Sequence, residues 1–298
     1  MKIFDCTLYY DEDLILDARL NILNQYIDKF IICEASFTHS GRKKKLNFDI
    51  NKFSKFKDKI IYTVQETEPN NIIYQDETKK TEDPINWRAN AVKRIAHQRN
   101  KLLDEVGKYA DMNDYILYSD NDEIPNLELH DITKEKSKII IFEQDLYYFK
   151  FNLLCDRIKW YGTRAIKKKD LIDFEWLREV KPKKYPFYRI DTILKKNKYT
   201  NLRILNNGGW HFTRVISPEE IHEKELDAEH HDEYRASNKN PERIKDLIKR
   251  RVIDHDHLAD SRENKYGKEF ALKQLTLDKM PLYIKDNADK YKEFLDLD

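Results

Sequence analysis

The chain has 298 residues, of which 37% are charged, but the charges cancel to a formal net +1, so no global field points to nucleic acid as a partner. That length supports a sizeable core, and no apolar run approaches the roughly 20 residues that a membrane-spanning helix needs. The three cysteines, Cys6, Cys33 and Cys155, are an odd, widely spaced set that reads as reduced core residues, and Met1 leads straight into an apolar run without a signal-like segment, so a cytosolic protein is expected.

In chain order, residues 2–9 read as a strand, and residues 11–26 carry Leu14, Ala18, Ile22 and Tyr26 at helical spacing. Residues 29–35 and 59–64 predict two more strands. Residues 88–106 predict a long helix whose apolar stripe runs through Val92, Ile95, Leu102, Leu103 and Val106, and residues 114–119 a fourth strand. Strands alternating with helices indicate βαβ units and a mostly parallel sheet.

The fourth strand runs directly into Ser119-Asp120-Asn121-Asp122-Glu123-Ile124-Pro125. Ligands of open α/β sheets sit beyond the carboxyl ends of the strands, so Asp120 and Asp122 place hard oxygen donors where a ligand is expected. Such oxygens suit Mn²⁺ or Mg²⁺, which keep several waters and bind substrate phosphates. A solvated acidic turn is the alternative. Arg99 falls on the apolar stripe of the long helix, where a guanidinium needs an anion. A phosphate held bidentately would serve, and so would an internal ion pair.

Beyond residue 138 the pattern changes. Residues 138–151 read as a long strand or hairpin rich in Ile, Phe and Tyr, and aromatics are frequent from there on. Most of them fit core packing. Trp160-Tyr161-Gly162 and Trp210 are the candidates for stacking on a sugar face. Asn206-Asn207-Gly208-Gly209 predicts a turn that lets backbone approach a ligand, followed by Trp210-His211, with His211 either a metal or phosphate ligand or a structural histidine. From Ser217 the chain reads as helical, with Ser217-Pro218-Glu219-Glu220 as a helix start and residues 241–252 as a basic helix. His222, His230 and His231 match no ordinary zinc spacing.

Several motifs in order resemble glycosyltransferase family 17. They are Asp5-Cys6 with Asp13-Leu14 and Arg19-Leu20; Ile32-Cys33-Glu34-Ala35 with Thr38-His39-Ser40-Gly41; Trp87-Arg88 with Gln98-Arg99-Asn100; the acidic turn 119–125; Gly209-Trp210-His211-Phe212; and Lys224 with His230. The chain departs from the animal members in having Thr213-Arg214 after the Trp-His pair and in lacking an N-terminal anchor. The resemblance implies an α/β fold of the GT-A type in one catalytic unit, with a nucleotide-sugar-binding half over residues 1–125 and an acceptor-binding half with C-terminal helices over 126–298. It implies an inverting transfer from a UDP-sugar, with a GlcNAc-like sugar as the expected donor, to a glycan hydroxyl. Glu34 would face uridine, Arg99 the diphosphate, and Asp120 and Asp122 the ribose and the metal, with His211 closing the metal or diphosphate site and Lys224 helping to meet the leaving charge. The general base is open among Asp191, Glu123 and Glu175. Two rival readings stand beside this one: a metal-dependent phosphohydrolase or nuclease, and a non-catalytic protein that binds glycans or sugar nucleotides.

Overall fold

A computed structural model describes residues 1–74, 86–186, 198–199, 201–259 and 266–297. The chain opens with β1 (Ile3–Tyr9), α1 (Asp13–Leu23), β2 (Lys29–Ala35), β3 (Ile60–Gln65), α2 (Trp87–Tyr109) and β4 (Tyr115–Tyr118). Next come β5 (Glu123–Pro125), β6 (Ile139–Phe142), β7 (Gln144–Tyr148), β8 (Leu153–Trp160), β9 (Arg164–Lys167) and α3 (Phe174–Glu179). The remainder comprises β10 (Leu202–Leu205), β11 (Gly209–Thr213), α4 (Pro218–Glu225), α5 (His231–Ala236), α6 (Pro241–Lys249), β12 (Val252–His255), β13 (Tyr266–Ala271), β14 (Lys273–Gln274) and α7 (Leu282–Asp286).

Seven strands form one sheet in the order β10-β6-β9-β4-β1-β2-β3, parallel throughout except at β9, which runs against both neighbours. This is the α/β sheet that the alternating pattern predicts. Its central strands are covered on both faces. Phe30 and Ile32 of β2 pack with Ile15, Leu16 and Leu20 of α1, while Ile31 and Cys33 pack with Leu102 and Val106 of α2. Burial on both faces explains why these strands read as continuous apolar runs. All three cysteines are free and buried. Val92, placed on the stripe by spacing, is 41% exposed, since the α2 stripe against the sheet runs through Ile95, Leu102 and Val106.

Five further strands form a second sheet in the order β14-β8-β7-β11-β5. Residues 138–151 are therefore not one strand or hairpin: β6 lies in the first sheet and β7 in the second. The chain changes sheets at Glu143, whose N–H is bonded to the Leu205 carbonyl and whose carbonyl accepts from Gly208 N–H, at 3.0 and 2.7 Å. The same change happens between β4 and β5, so the acidic turn sits at the junction of the two sheets. β11 pairs with β5 and brings His211 opposite Glu123.

The C-terminal part is not wholly helical. Ser217 and Glu220 do close a reciprocal cap on α4. The basic helix, however, ends at Lys249; Arg251 turns the chain with φ of 52°, and β12 and β13 pair as an antiparallel ribbon. Among the described residues, no helix is long and apolar enough to cross a membrane.

Candidate functional site

A cavity of about 270 Å³ opens beyond the carboxyl ends of β1, β2 and β4. Leu8, Tyr9 and Tyr10 reach it from the end of β1 and just beyond, Ala35 and Phe37 from the end of β2 and the loop after it, Ile95, Gln98 and Arg99 from α2, and residues 120–123 from the turn after β4 and the start of β5. Trp160, His211 and Lys224 close it from the second sheet and α4. This is the strand-end crevice that open α/β sheets use for ligands.

The turn is shaped from below by Arg19, whose side chain is 0% exposed. Its Nε and Nη2 donate to Asp5 at 2.7 and 2.6 Å, and Nη2 also donates to Ser119 Oγ at 2.7 Å. Nη1 donates to the backbone carbonyls of Asp120, Asn121 and Glu123 at 3.2, 3.2 and 2.9 Å. The Asp5 and Arg19 motifs of the sequence thus meet as one buried pair that moulds the turn.

From above, Arg178 of α3 grips the side chains. Nη2 donates to Asp120 Oδ2 at 2.9 Å and to Glu123 Oε1 at 2.8 Å, while Nη1 donates to Glu123 Oε2 at 2.9 Å and the Gly162 carbonyl at 3.0 Å. Glu123 also accepts Trp160 Nε1–H at 2.6 Å and Asp120 N–H at 3.0 Å. A carboxylate has about four lone-pair positions, and these bonds fill them. The Trp160 ring lies against His211 with centroids 4.7 Å apart. Gly162 leaves room for this clamp, since a Cβ there would stand 2.4 Å from Glu123 Cδ and force the clamp to shift.

Asp120 meets cations on both sides, with Arg99 Nη2 3.7 Å from Oδ1 opposite Arg178. Burial alone would raise its pKa, but Arg178 and then Arg99 outweigh it and hold the carboxyl below its ordinary range. Arg99 itself is anchored by Glu175 at 2.8 Å and donates to Tyr118 Oη at 2.8 Å. The internal ion pair weighed from the sequence is present, and Arg99 still lines the cavity. Asp122 differs. Its side chain is 30% exposed, and Oδ2 lies 3.3 Å from His211 Nε2. Burial pushes the His211 pKa down, yet the Asp122 carboxylate more than compensates and leaves it above the ordinary value.

Glu34, expected to face the nucleoside, is fully buried and is not among the cavity's lining residues. It accepts from Lys44 Nζ, from Asn47 N–H and Phe48 N–H at 2.7 and 3.1 Å, and from Tyr62 Oη–H at 2.8 Å. It ties the loop after β2 to the sheet, and its partner Lys44 lines the cavity. His39 of the same loop also lines it, with its pKa pushed down to about 4 by burial. Lys224 pairs with Glu12 at the cavity wall. Among the acceptor candidates, Trp160 lines the cavity, whereas Tyr161 is bonded to Glu143 at 2.9 Å and is not among its lining residues. Trp210 lines a separate cavity of about 230 Å³ with Tyr26 and Tyr283. Strand alternation explains the split, since Trp210 and His211 are neighbours on β11 and face opposite ways. Asp191 lies outside the described residues.

Sequence reasoning singled out neither Arg178 nor Glu12 and Asn121. Asn121 carries the one signal that could have been read, an amide between two carboxylates. Among the described residues, neither polar atom of its buried side chain has a partner, and neither does His211 Nδ1. Buried polar atoms without partners beside a cavity are what a site that hydrogen-bonds a ligand or water leaves behind. Among the described residues, no three His, Cys, Asp or Glu side chains gather closely enough to hold a metal by themselves. Asp122 and His211 supply two donors, a number that suits a cation completing its shell with phosphate oxygens and water.

No curated protein matches the chain. Among solved structures, an inositol-1-phosphate CTP transferase from T. maritima is similar at 8% identity over 74% of this chain and 94% of that one, with a TM-score of 0.32, too loose a likeness to carry an argument. Comparison with protein families matches residues 1–296 to glycosyltransferase family 17. With essentially its whole length covered by that match, the chain belongs to glycosyltransferase family 17 and is a glycosyltransferase.

Proposed function

We propose that the chain moves a sugar, GlcNAc-like, from a UDP-sugar to a hydroxyl of a glycan acceptor with inversion, and that Mn²⁺ or Mg²⁺ assists. The observation that carries this reading is the cavity itself, where Asp122 and His211 face inward beside the cations Lys44, Arg99 and Lys224. That combination suits a nucleoside diphosphate, with a pair of metal-ion ligands on one side and fixed positive charge on the other. The apolar wall of Leu8, Ala35, Phe37 and Ile95 suits a nucleobase.

In the transfer, the bond from the sugar C1 to the diphosphate oxygen breaks as the acceptor oxygen bonds to C1 from the opposite face, and the acceptor proton passes to a base. Asp122 and His211 would hold the cation, which supplies Lewis-acid stabilisation of the departing diphosphate. Asp120, already neutralised by guanidinium groups, would accept a hydrogen bond from a donor hydroxyl such as the ribose. Arg99 and Lys224 meet the charge that develops on the leaving group. Glu123 has no lone pair left for a proton and Glu175 is engaged by Arg99, so Asp191 remains the proposed base.

A thermal-shift screen of UDP, GDP, CMP and their sugar conjugates, each with and without Mn²⁺, tests the donor class, because a ligand that binds the native state raises its apparent stability. A shift with UDP that requires Mn²⁺ is expected. No shift with any nucleotide would overturn the reading.

A further inference from the structure

We propose that Arg178 is a positioning residue of the transfer site, holding Asp120 and Glu123 as a pre-neutralised pair so that Asp122, with His211, is the carboxylate of the turn open to a cation. This rests on the nucleoside diphosphate reading above and concerns what keeps neighbouring carboxylates in different roles.

Two carboxylates close together repel, and unneutralised they attract a divalent ion between them. Asp120 and Glu123 are such a pair, since one nitrogen, Arg178 Nη2, reaches Asp120 Oδ2 at 2.9 Å and Glu123 Oε1 at 2.8 Å. The guanidinium occupies the position that such an ion would take. Its charge is fixed, because arginine does not deprotonate in proteins. Its planar fork also reaches Glu123 Oε2 and the Gly162 carbonyl, a set of bonds that a single ammonium cannot reproduce.

α3 serves both flanks of the turn. Three residues before Arg178, Glu175 holds Arg99 from behind at 2.8 Å, which keeps Arg99 3.7 Å from Asp120 Oδ1. Asp120 therefore has a guanidinium near each oxygen, and a divalent cation approaching it would face both. Asp122 Oδ2 has no guanidinium against it among the described residues and lies 3.3 Å from the His211 imidazole, a second donor for a cation. The grip also extends to that imidazole. Glu123, fixed by Arg178, accepts the Trp160 indole at 2.6 Å, and the indole lies against His211.

The test measures Mn²⁺ affinity in the presence of UDP, from the electron paramagnetic resonance signal of free Mn²⁺, and UDP affinity in the presence of Mn²⁺ by calorimetry. It uses the full chain and the variants Asp122→Asn, Asp120→Asn, Arg178→Met and Arg178→Lys. Asp122→Asn should lower Mn²⁺ affinity on the order of 100-fold, as loss of a metal ligand does, whereas Asp120→Asn should leave it near the wild-type value. Arg178→Met should keep or raise Mn²⁺ affinity, because it frees Asp120, while UDP affinity falls about tenfold as the turn loses its setting. Arg178→Lys should fall between Arg178→Met and wild type for UDP, and it decides the matter if the methionine variant does not fold. A merely structural arginine would lower both affinities together with stability. Asp120→Asn as damaging to Mn²⁺ binding as Asp122→Asn would overturn the proposal while leaving the donor reading intact, as would wild-type UDP affinity in a folded arginine variant. Absence of any Mn²⁺-dependent UDP binding by the wild-type chain would overturn the donor reading and the proposal with it.

Discussion

Two arginines grip the turn between β4 and β5, and they hold different parts of it. Arg19, buried under the sheet, bonds to the turn's carbonyls and to Asp5, so it sets the path of the backbone. Arg178, on α3, bonds to carboxylates and so sets the charge that the turn presents. Between them the turn acquires a fixed shape and an uneven charge, with Asp120 and Glu123 neutralised and Asp122 facing the cavity with His211. A short acidic motif becomes specific in this way. Its residues supply oxygens, and cations from distant positions decide which oxygens stay available.

The largest effect should come from breaking the lower grip. Arg19→Met leaves Asp5 charged and fully buried without its partner, which costs about 3–5 kcal/mol. Urea unfolding should show this as a large drop in midpoint; a loss below about 1 kcal/mol would mean that the turn is shaped by something else. Removing the carboxylate beside His211 should do the opposite. Asp122→Ala, with its side chain 30% exposed, should abolish Mn²⁺-dependent UDP binding while moving stability by less than about 1 kcal/mol. Unchanged metal-dependent affinity would sink the assignment of Asp122.

The upper grip can be disturbed without touching a charge. In Gly162→Ala a Cβ would meet Glu123 Cδ at 2.4 Å and Gln144 Oε1 at 2.5 Å, so the Glu123 clamp must shift. Overpacking of this kind costs about 1–3 kcal/mol, and UDP affinity should fall with it. Wild-type stability and affinity in this variant would show that the clamp yields cheaply and that Arg178 does not fix it.

The sheet was legible because βαβ units announce themselves through local periodicity: the β2 run and the α2 stripe each lie within one element. The acidic turn was legible for the same reason, as the end of an apolar strand. Arg178 was not, because nothing in the six residues of α3 says that its sixteen-percent-exposed guanidinium meets carboxylates in a turn far back along the chain. Only the tertiary fold brings them together. Glu34 shows the converse. Its place at the end of an apolar run was legible, but the donors that fill its oxygens come from the loop after β2 and from β3. Trp210 and His211 carried a usable signal that motif reading overrode, since two adjacent residues of one strand cannot both point into one cavity.

Another cation and carboxylate pair at the cavity, Lys224 with Glu12, tests whether the comparison extends beyond the turn, because it joins α4 to the loop between β1 and α1. Glu12 is largely buried, with 13% of its side chain exposed, which by itself would raise its pKa. Lys224 and the backbone N–H groups of Tyr10 and of Glu12 itself outweigh that and hold it below its ordinary 4.5. A folded pKa below the unfolded one means that the pair stabilises the fold above about pH 4.5 and that this contribution fades as pH falls through the folded value. Glu12→Gln cannot titrate, so its melting temperature should fall less steeply than the wild type's below pH 4.5, with the two curves converging in acid. Near neutral pH the difference should be at most about 1 kcal/mol, because Lys224 is 36% exposed and water screens the pair. Parallel curves across the acid range would show that Glu12 carries no native-state charge interaction, and the link from α4 to the loop between β1 and α1 would then rest on packing alone.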